Sequence, residues 1–346
     1  MVKGFGILES NPFIPPTTMV LFRIAPDWQL PERAATSEAA YVNRRQFLRV
    51  IGAAGLTIAA GPLSSCRAKA TDTSTLEASL DLPQVRRVSP NPEFADLDRP
   101  LTDRLLAGQY NNYYEFGGTK SIWAKAQTLP TDPWTLTVGG LVKNPATYDR
   151  DDLMQKFPLE ERLYRFRCVE AWSMALPWLG FPMRLLLEAA EPLPEAQYVR
   201  FTSYYQADIT PGPGVFSSFY PWPYTEALRL DEMANELAFF AVGLYGRLLP
   251  KQHGAPIRAV IPWKYGFKGA KSIVGIEFTA EKPATFWNTV QANEYAFESN
   301  VDPKVPHPRW SQSQERFIST GPDLSWEMRP TLPYNGYESY VAGLYA

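Results

Sequence analysis

Cysteine and histidine are nearly absent from this chain, whose 346 residues hold two of each: Cys66, Cys168, His253 and His307. A structural zinc site needs four Cys or His ligands close together, and these four are isolated from one another in sequence. A metal centre is then open only to a cofactor that brings most of its own ligands. Basic charge is short as well. The formal net charge is −2, and residues 71–346 carry 26 Lys/Arg against 32 Asp/Glu. That balance argues against nucleic-acid binding, which needs a basic stripe to displace counterions. There is no internal repeat, no heptad pattern and no low-complexity tract. Proline and aromatics are plentiful instead. The 32 prolines, 22 glycines and 14% aromatics point to many short elements joined by turns, with few long helices.

The first seventy residues read as an address. Arg44 and Arg45 precede Phe47 and Leu48, and an uncharged stretch runs on to Cys66. It falls short of the roughly 20 strongly apolar residues that a spanning helix needs, and Gly52, Gly55, Gly61 and Pro62 dilute it. Arg-Arg-x-Phe-Leu before a mild apolar segment resembles a twin-arginine signal, which exports proteins already folded. Two exits are legible: Ala68-Lys69-Ala70 as a peptidase site, or Leu63-Ser64-Ser65-Cys66 as a lipobox with a lipid anchor at Cys66. Residues 1–70 are therefore expected to be an export segment, and 71–346 a single catalytic domain of the periplasm.

In that domain "STLEAS" and "FADLDRPLTDRLLA" are short helical candidates, and "FPMRLLLEAAE" (181–191) reads as the clearest helix, with Pro182 at its first position. "WTLTVGGLV", "RLYRFRC", "YVRFTSYY", "LAFFAVGLYG", "APIRAVIPW" and "SIVGIEFTA" read as strands. In "RLYRFRC" the alternation puts Tyr164, Phe166 and Cys168 on one face, with Arg165 and Arg167 on the other. Cys168 then ends a strand, and irregular chain is expected after it. The sum is an α+β domain with mixed or antiparallel sheets.

Three stretches carry unusual chemistry. "YNNYYEFG" (110–117) sets amide groups and aromatics around Glu115, which suits a flat, heteroatom-rich ligand. "RFRCVEAWSM" (165–174) offers one thiol, which alone reads as a buried core residue, a soft-metal ligand or a nucleophile. A nucleophile needs a histidine partner, and only His253 and His307 exist. "QHGAPIRAVIPWKYGFKGAKSI" (252–273) supplies Arg258, Lys264, Lys268 and Lys271 among glycines, either a basic surface loop or a cradle for phosphate. It is too short for a P-loop. Trp172, Trp222, Tyr224, Trp263 and Tyr265 are candidates for a substrate entrance or for plain core. Thiol, amides and phosphate cradle together fit molybdopterin.

Those stretches, with the tail "HPRWSQSQERFI…PTLPYNGY", resemble the catalytic subunit of the protein-methionine-sulfoxide reductases (the MsrP family), of sulfite-oxidase fold, from about residue 85 onward. The resemblance implies a sulfite-oxidase-like molybdopterin-binding fold, with Cys168 as the protein ligand of one molybdenum per chain. It also implies that Asn111, Tyr114, Glu115, Ser203, His253, Arg258, Gly269, Ala270 and Lys271 bind the cofactor. His253 stands where the reductases are expected to have asparagine, and either side chain can donate to the pterin. The implied activity is reduction of free and protein-bound methionine sulfoxide by a monomeric subunit. Electrons would come from a haem-containing membrane subunit, MsrQ, and the substrates would be oxidised periplasmic proteins. Sulfite oxidases are the second family in view. "VEAWSM" after Cys168 departs from their Cys-Ala-Gly-Asn-Arg run, and the 75 residues after Lys271 are too few for their further domain. An exported binding protein that lost its metal is the remaining class.

Overall fold

The computed structural model describes residues 73–85, 88–214, 217–321 and 326–346. The twin-arginine stretch and Cys66 lie outside them. Ala70–Ala346 is one compact unit.

Thirteen strands run through the described residues: β1 (Ser89–Pro90), β2 (Leu136–Gly140), β3 (Ala146–Tyr148), β4 (Glu160–Arg167), β5 (Trp172–Pro182), β6 (Tyr198–Ser203), β7 (Thr225–Arg229), β8 (Phe239–Leu244), β9 (Arg247–Leu248), β10 (Arg258–Val260), β11 (Ile273–Thr279), β12 (Gln314–Phe317) and β13 (Glu327–Pro330). A five-stranded sheet has the order β3-β2-β11-β6-β7, with β2 and β11 parallel. An eight-stranded sheet runs β1-β4-β5-β12-β13, and β8 joins β5 while also pairing β9 and β10. One apolar core draws side chains from both sheets. Within it Phe157 and Phe181 stack at 4.5 Å between centroids. Each such buried ring is worth about 1.5–3 kcal/mol over an exposed one.

Helices are short, as the proline content predicts. The longest among the described residues, Thr73–Leu80 and Met183–Ala190, have eight residues each. Two of the shorter ones have chemically marked starts. The Asp103 carboxylate accepts from the Leu105 and Leu106 amides ahead of Arg104–Gln109, and Asp149 and Asp152 form a reciprocal capping box ahead of Arg150–Lys156. No helix of the described residues is long and apolar enough to cross a membrane.

Three expectations need correcting. The irregular chain expected after Cys168 is only the turn at residues 168–171: β5, the longest strand among the described residues, follows at once and is buried at every position. A strand covered on both faces loses the alternation that marks strands in sequence, and Pro177 and Pro182 disguise it further. Pro182 is not the first helical residue. It closes β5 and precedes Met183–Ala190 as its cap, in an extended conformation. In β4 the arginines are not all outward. Arg165 reaches Asp98, but Arg162 and Arg167 are fully buried. The buried charge of Arg162 is offset by ion pairs to Glu160 and Glu236 and by the faces of Phe94 and Phe239.

Candidate active site

β4 and β5 form a hairpin whose connecting turn, residues 168–171, carries the thiol. The Cys168 amide donates to the Trp172 carbonyl at 2.9 Å and the Ala171 amide to the Cys168 carbonyl at 3.1 Å. Ala171 takes a positive φ of 63° to close the turn. The thiol is buried, 6% exposed, and is the free cysteine of the described residues. Its sulfur accepts from Asn112 Nδ2 and from the Glu170 amide, both at 3.4 Å. Neither His253 nor His307 hydrogen-bonds to it among the described residues, so the histidine partner of a cysteine nucleophile is missing. Burial, and then the Glu170 carboxylate, push the thiol up to about 12. Of the neighbouring arginines, Arg165 pairs with Asp98, and Arg167, which pairs with Glu315, opposes the rise only in small part.

The 110–117 segment folds against this turn. Asn111 turns away, its amide donating to the Gly108 carbonyl at 2.8 Å, although the residue still borders the cavity. The neighbouring Asn112 holds the thiol and also donates to Glu170 at 3.0 Å. Lys120 donates to Asn112 Oδ1 at 2.5 Å and pairs with Glu170. The Trp172 indole donates to the same carboxylate at 3.0 Å. Glu170 is therefore well supplied with donors, and these lower it from its ordinary value against the desolvation of burial. Tyr114 gives its hydroxyl to Tyr220 at 3.0 Å and packs on Trp287, with centroids 4.8 Å apart.

The opposite end of the same cavity is cationic. Arg258 opens β10 and is 2% exposed. Its Nη1 donates to the His253 carbonyl at 3.1 Å and its Nε to the Ala259 carbonyl at 3.2 Å, while Nη2 has no partner among the described residues. A Cβ on Gly269 would come within 3.0 Å of that nitrogen and 2.6 Å of the Ala259 carbonyl, so the glycine keeps this corner open. Lys271 donates to the Asn112 carbonyl at 2.6 Å. Burial lowers Lys271 and Arg258 pushes it the same way, with Glu115 opposing. Burial, Arg258 and Lys271 bring His253 down to about 3. Glu115 is raised by burial, with Lys271 opposing. Positive charge at this end exceeds what the described residues neutralise.

Cys168, Asn111, Tyr114, Glu115, His253, Arg258, Gly269 and Lys271 thus border one cavity. Ser203 and Ala270 do not border it. Ser203 ends β6 with its hydroxyl buried and unpartnered among the described residues, and the Ala270 carbonyl accepts from the Ala259 amide. Two cations expected in the cradle are elsewhere: Lys264 pairs with Glu232 and Lys268 with Glu226, each at 2.5 Å and each nearly inaccessible. Of the aromatic candidates, Trp172 and Tyr224 line the cavity, whereas Trp222, Trp263 and Tyr265 do not. Asn112, Trp287 and Tyr295 line it without having been singled out.

Residues 124–287 match the family described as the oxidoreductase molybdopterin binding domain. Among solved structures, the sulfane dehydrogenase SoxCD from Paracoccus pantotrophus is similar at 16% identity and a TM-score of 0.42, over 64% of this chain. This chain spans 58% of that one's length. Cys168, Arg258, Gly269 and Lys271 fall inside the matched stretch, and the 110–117 segment lies ahead of it. The chain therefore has a mixed α+β fold, of which residues 124–287 match the oxidoreductase molybdopterin binding domain.

Proposed function

We propose that this protein is a molybdopterin-dependent oxidoreductase of sulfite-oxidase type that reduces methionine sulfoxide, free and protein-bound, to methionine. The observation that carries the reading is the meeting, in one cavity, of the Cys168 thiol with the unpartnered Arg258 Nη2, Lys271 and the open corner at Gly269. These residues fit the cofactor. A dianionic phosphate supplies the acceptors that Arg258 Nη2 lacks and the charge that Lys271 lacks. No three His, Cys, Asp or Glu side chains of the described residues are grouped to hold a metal ion, so the cofactor would have to supply the ligands that Cys168 alone cannot.

When bound, the cofactor supplies the two-electron reducing centre that removes the sulfoxide oxygen; with two protons, the products are a thioether and water. Cys168 acts as the protein ligand. Asn112 orients the sulfur and, with Lys120 and Trp172, fixes the Glu170 carboxylate beside it. Arg258, Lys271 and the backbone at Gly269 hold the anionic end. Tyr114, Trp287 and Tyr295 line the cavity with aromatic faces, against which thioether and sulfoxide sulfur pack well. The resemblance of the first seventy residues to a twin-arginine signal supports a periplasmic location after folded export. A haem-containing membrane subunit of the MsrQ kind is the proposed electron donor.

The test is metal analysis of protein purified after folded export, with parallel assays on free methionine sulfoxide, an oxidised protein and sulfite. The expectation is about one molybdenum per chain, turnover of both sulfoxides, and loss of turnover in a folded Cys168→Ser variant. Absence of molybdenum, full activity in Cys168→Ser, or sulfite as the one substrate turned over overturns the reading.

A further inference from the structure

The thiol turn is gripped from outside the matched domain, by chain that follows it far along the sequence. Two carbonyls of the turn point away from the cavity into a buried polar knot. The Val169 carbonyl accepts two side-chain donors, Trp310 Nε1 at 2.8 Å and Gln312 Nε2 at 2.7 Å. The Cys168 carbonyl accepts from the Ala171 amide and from Arg167 Nη1. Gln312, 2% exposed, joins the two halves, because its Oε1 accepts from Arg167 Nη2 at 2.8 Å. That nitrogen also reaches the Gln314 carbonyl at 3.3 Å and Thr331 Oγ1 at 3.2 Å. Arg167 Nε lies 3.2 Å from Glu315 Oε2 as an ion pair, without the angle of a hydrogen bond. The backbone completes the grip: the Arg316 amide donates to the Ala171 carbonyl at 2.9 Å, and β12 pairs in parallel with β5 at Trp172 and Ser173.

A four-residue turn between two strands can pivot about its ends. Here the Val169 carbonyl is bonded to two side chains rooted outside the hairpin, the Ala171 carbonyl to the Arg316 amide of β12, and the Cys168 carbonyl to an Arg167 side chain that Gln312 holds in turn. Breaking those bonds inside a dry interior leaves polar groups unpaired, which costs more than the bonds themselves yield. The lever is direct. The Cys168 carbonyl lies in the 168–169 peptide and the Val169 carbonyl in the next one, so a swing of the turn that redirects the Cα–Cβ bond of Cys168, and with it the sulfur, pulls on the bonds at both carbonyls.

We infer that Gln312, acting with Trp310 and Arg167, is a positioning clamp that fixes the Cys168 turn and keeps its sulfur aimed into the cavity. That purpose rests on the reading of Cys168 as metal ligand, but the clamp itself is measurable without metal.

The experiment uses the full chain prepared without cofactor and follows alkylation of Cys168 by iodoacetamide, with peptide-mass mapping to separate it from Cys66. Gln312→Met keeps the length of the side chain and removes both of its hydrogen bonds. Trp310→Phe keeps an aromatic ring at the position that stacks on His307, where the indole lies 3.9 Å away between centroids, and removes the donor. The double variant is expected to raise the alkylation rate about tenfold or more, with each single variant smaller because Val169 keeps one donor, and with the unfolding midpoint moving much less than the rate. An unchanged rate in the double variant overturns the clamp. So does a rate that rises only in step with global unfolding. Should the double variant fail to fold, the two single variants carry the same comparison, and no rise in either overturns the clamp. A second arm uses cofactor-loaded protein and the paramagnetic signature of the molybdenum, expected to shift in Gln312→Met. If the wild type holds no molybdenum, the proposed function fails while the alkylation result still decides the clamp.

Discussion

The Lys271 ammonium donates to the Asn112 carbonyl at 2.6 Å, which ties the cationic end of the cavity to the amide that holds the Cys168 sulfur. Lys271→Met removes a charge from the phosphate end and releases that tie. Hydrogen bonds to charged groups contribute about 1.5–3 kcal/mol, so cofactor affinity should drop by about tenfold or more. Molybdenum content after extended dialysis measures it, and Lys271→Arg should restore part of the loss. Unchanged retention in Lys271→Met would remove this lysine from the binding site.

Gly269 provides a steric counterpart. Its φ is ordinary at −84°, so alanine there meets no backbone strain, only the Ala259 carbonyl at 2.6 Å and Arg258 Nη2 at 3.0 Å. Gly269→Ala should cost about 1–3 kcal/mol of stability as an overpacking change and lower cofactor loading by displacing Arg258. Gly139→Ala, with nothing within 4 Å of the added Cβ, is the control. Equal loading in both variants would mean that the corner does not shape the site.

In the cofactor-free chain, His253 gives stability a defined pH dependence. Its folded value is down to about 3 from an ordinary 6.5, through burial and the nearby Arg258 and Lys271. Between those values the unfolded chain binds a proton that the folded chain refuses, so stability falls as pH drops below 6.5 and keeps falling toward about 3. Above 6.5 both states are neutral and His253 contributes nothing to the pH dependence. Urea midpoints at about pH 7 and about pH 5 for wild type and His253→Gln test this, since the variant should lose less on acidification. Parallel losses in the two proteins would refute it.

Lys268 and Glu226 form a pair 2.5 Å apart that is almost wholly removed from solvent. Lys268→Met leaves the Glu226 carboxylate without its counter-charge and should destabilise the fold by about 3–5 kcal/mol. The double variant Lys268→Met with Glu226→Gln should regain a large part of that. Chemical denaturation resolves the two, and a double variant as unstable as the single one would show that the pair's shape matters more than its charge.

Local pattern carried the helices at Thr73–Leu80, Arg104–Gln109 and Met183–Ala190 and six of the thirteen strands of the described residues. It failed at β5, where burial on both faces erased the alternation. Within the site, the limits were set by partners distant in sequence. Lys264 and Lys268 look like Arg258 and Lys271 in the string, and only Glu232 and Glu226, brought in by other elements, divert them into the core. Asn111 and Asn112 are adjacent and chemically identical, and the register of one segment decides which amide meets the thiol. Trp287 and Tyr295 gave no local signal separating them from Trp222 and Trp263, since aromatics are common throughout this chain.

Gln312 and Val169 are 143 positions apart, and that distance has a meaning in time as well as in space. On the ribosome, the hairpin bearing Cys168 emerges well before the residues that secure it. A nascent or truncated chain that stops short of β12 has the thiol but not its fixed aim. With Cys168 read as the metal ligand, the proposed clamp would put cofactor insertion after synthesis of that stretch, an order of assembly written into the hydrogen bonds of one turn.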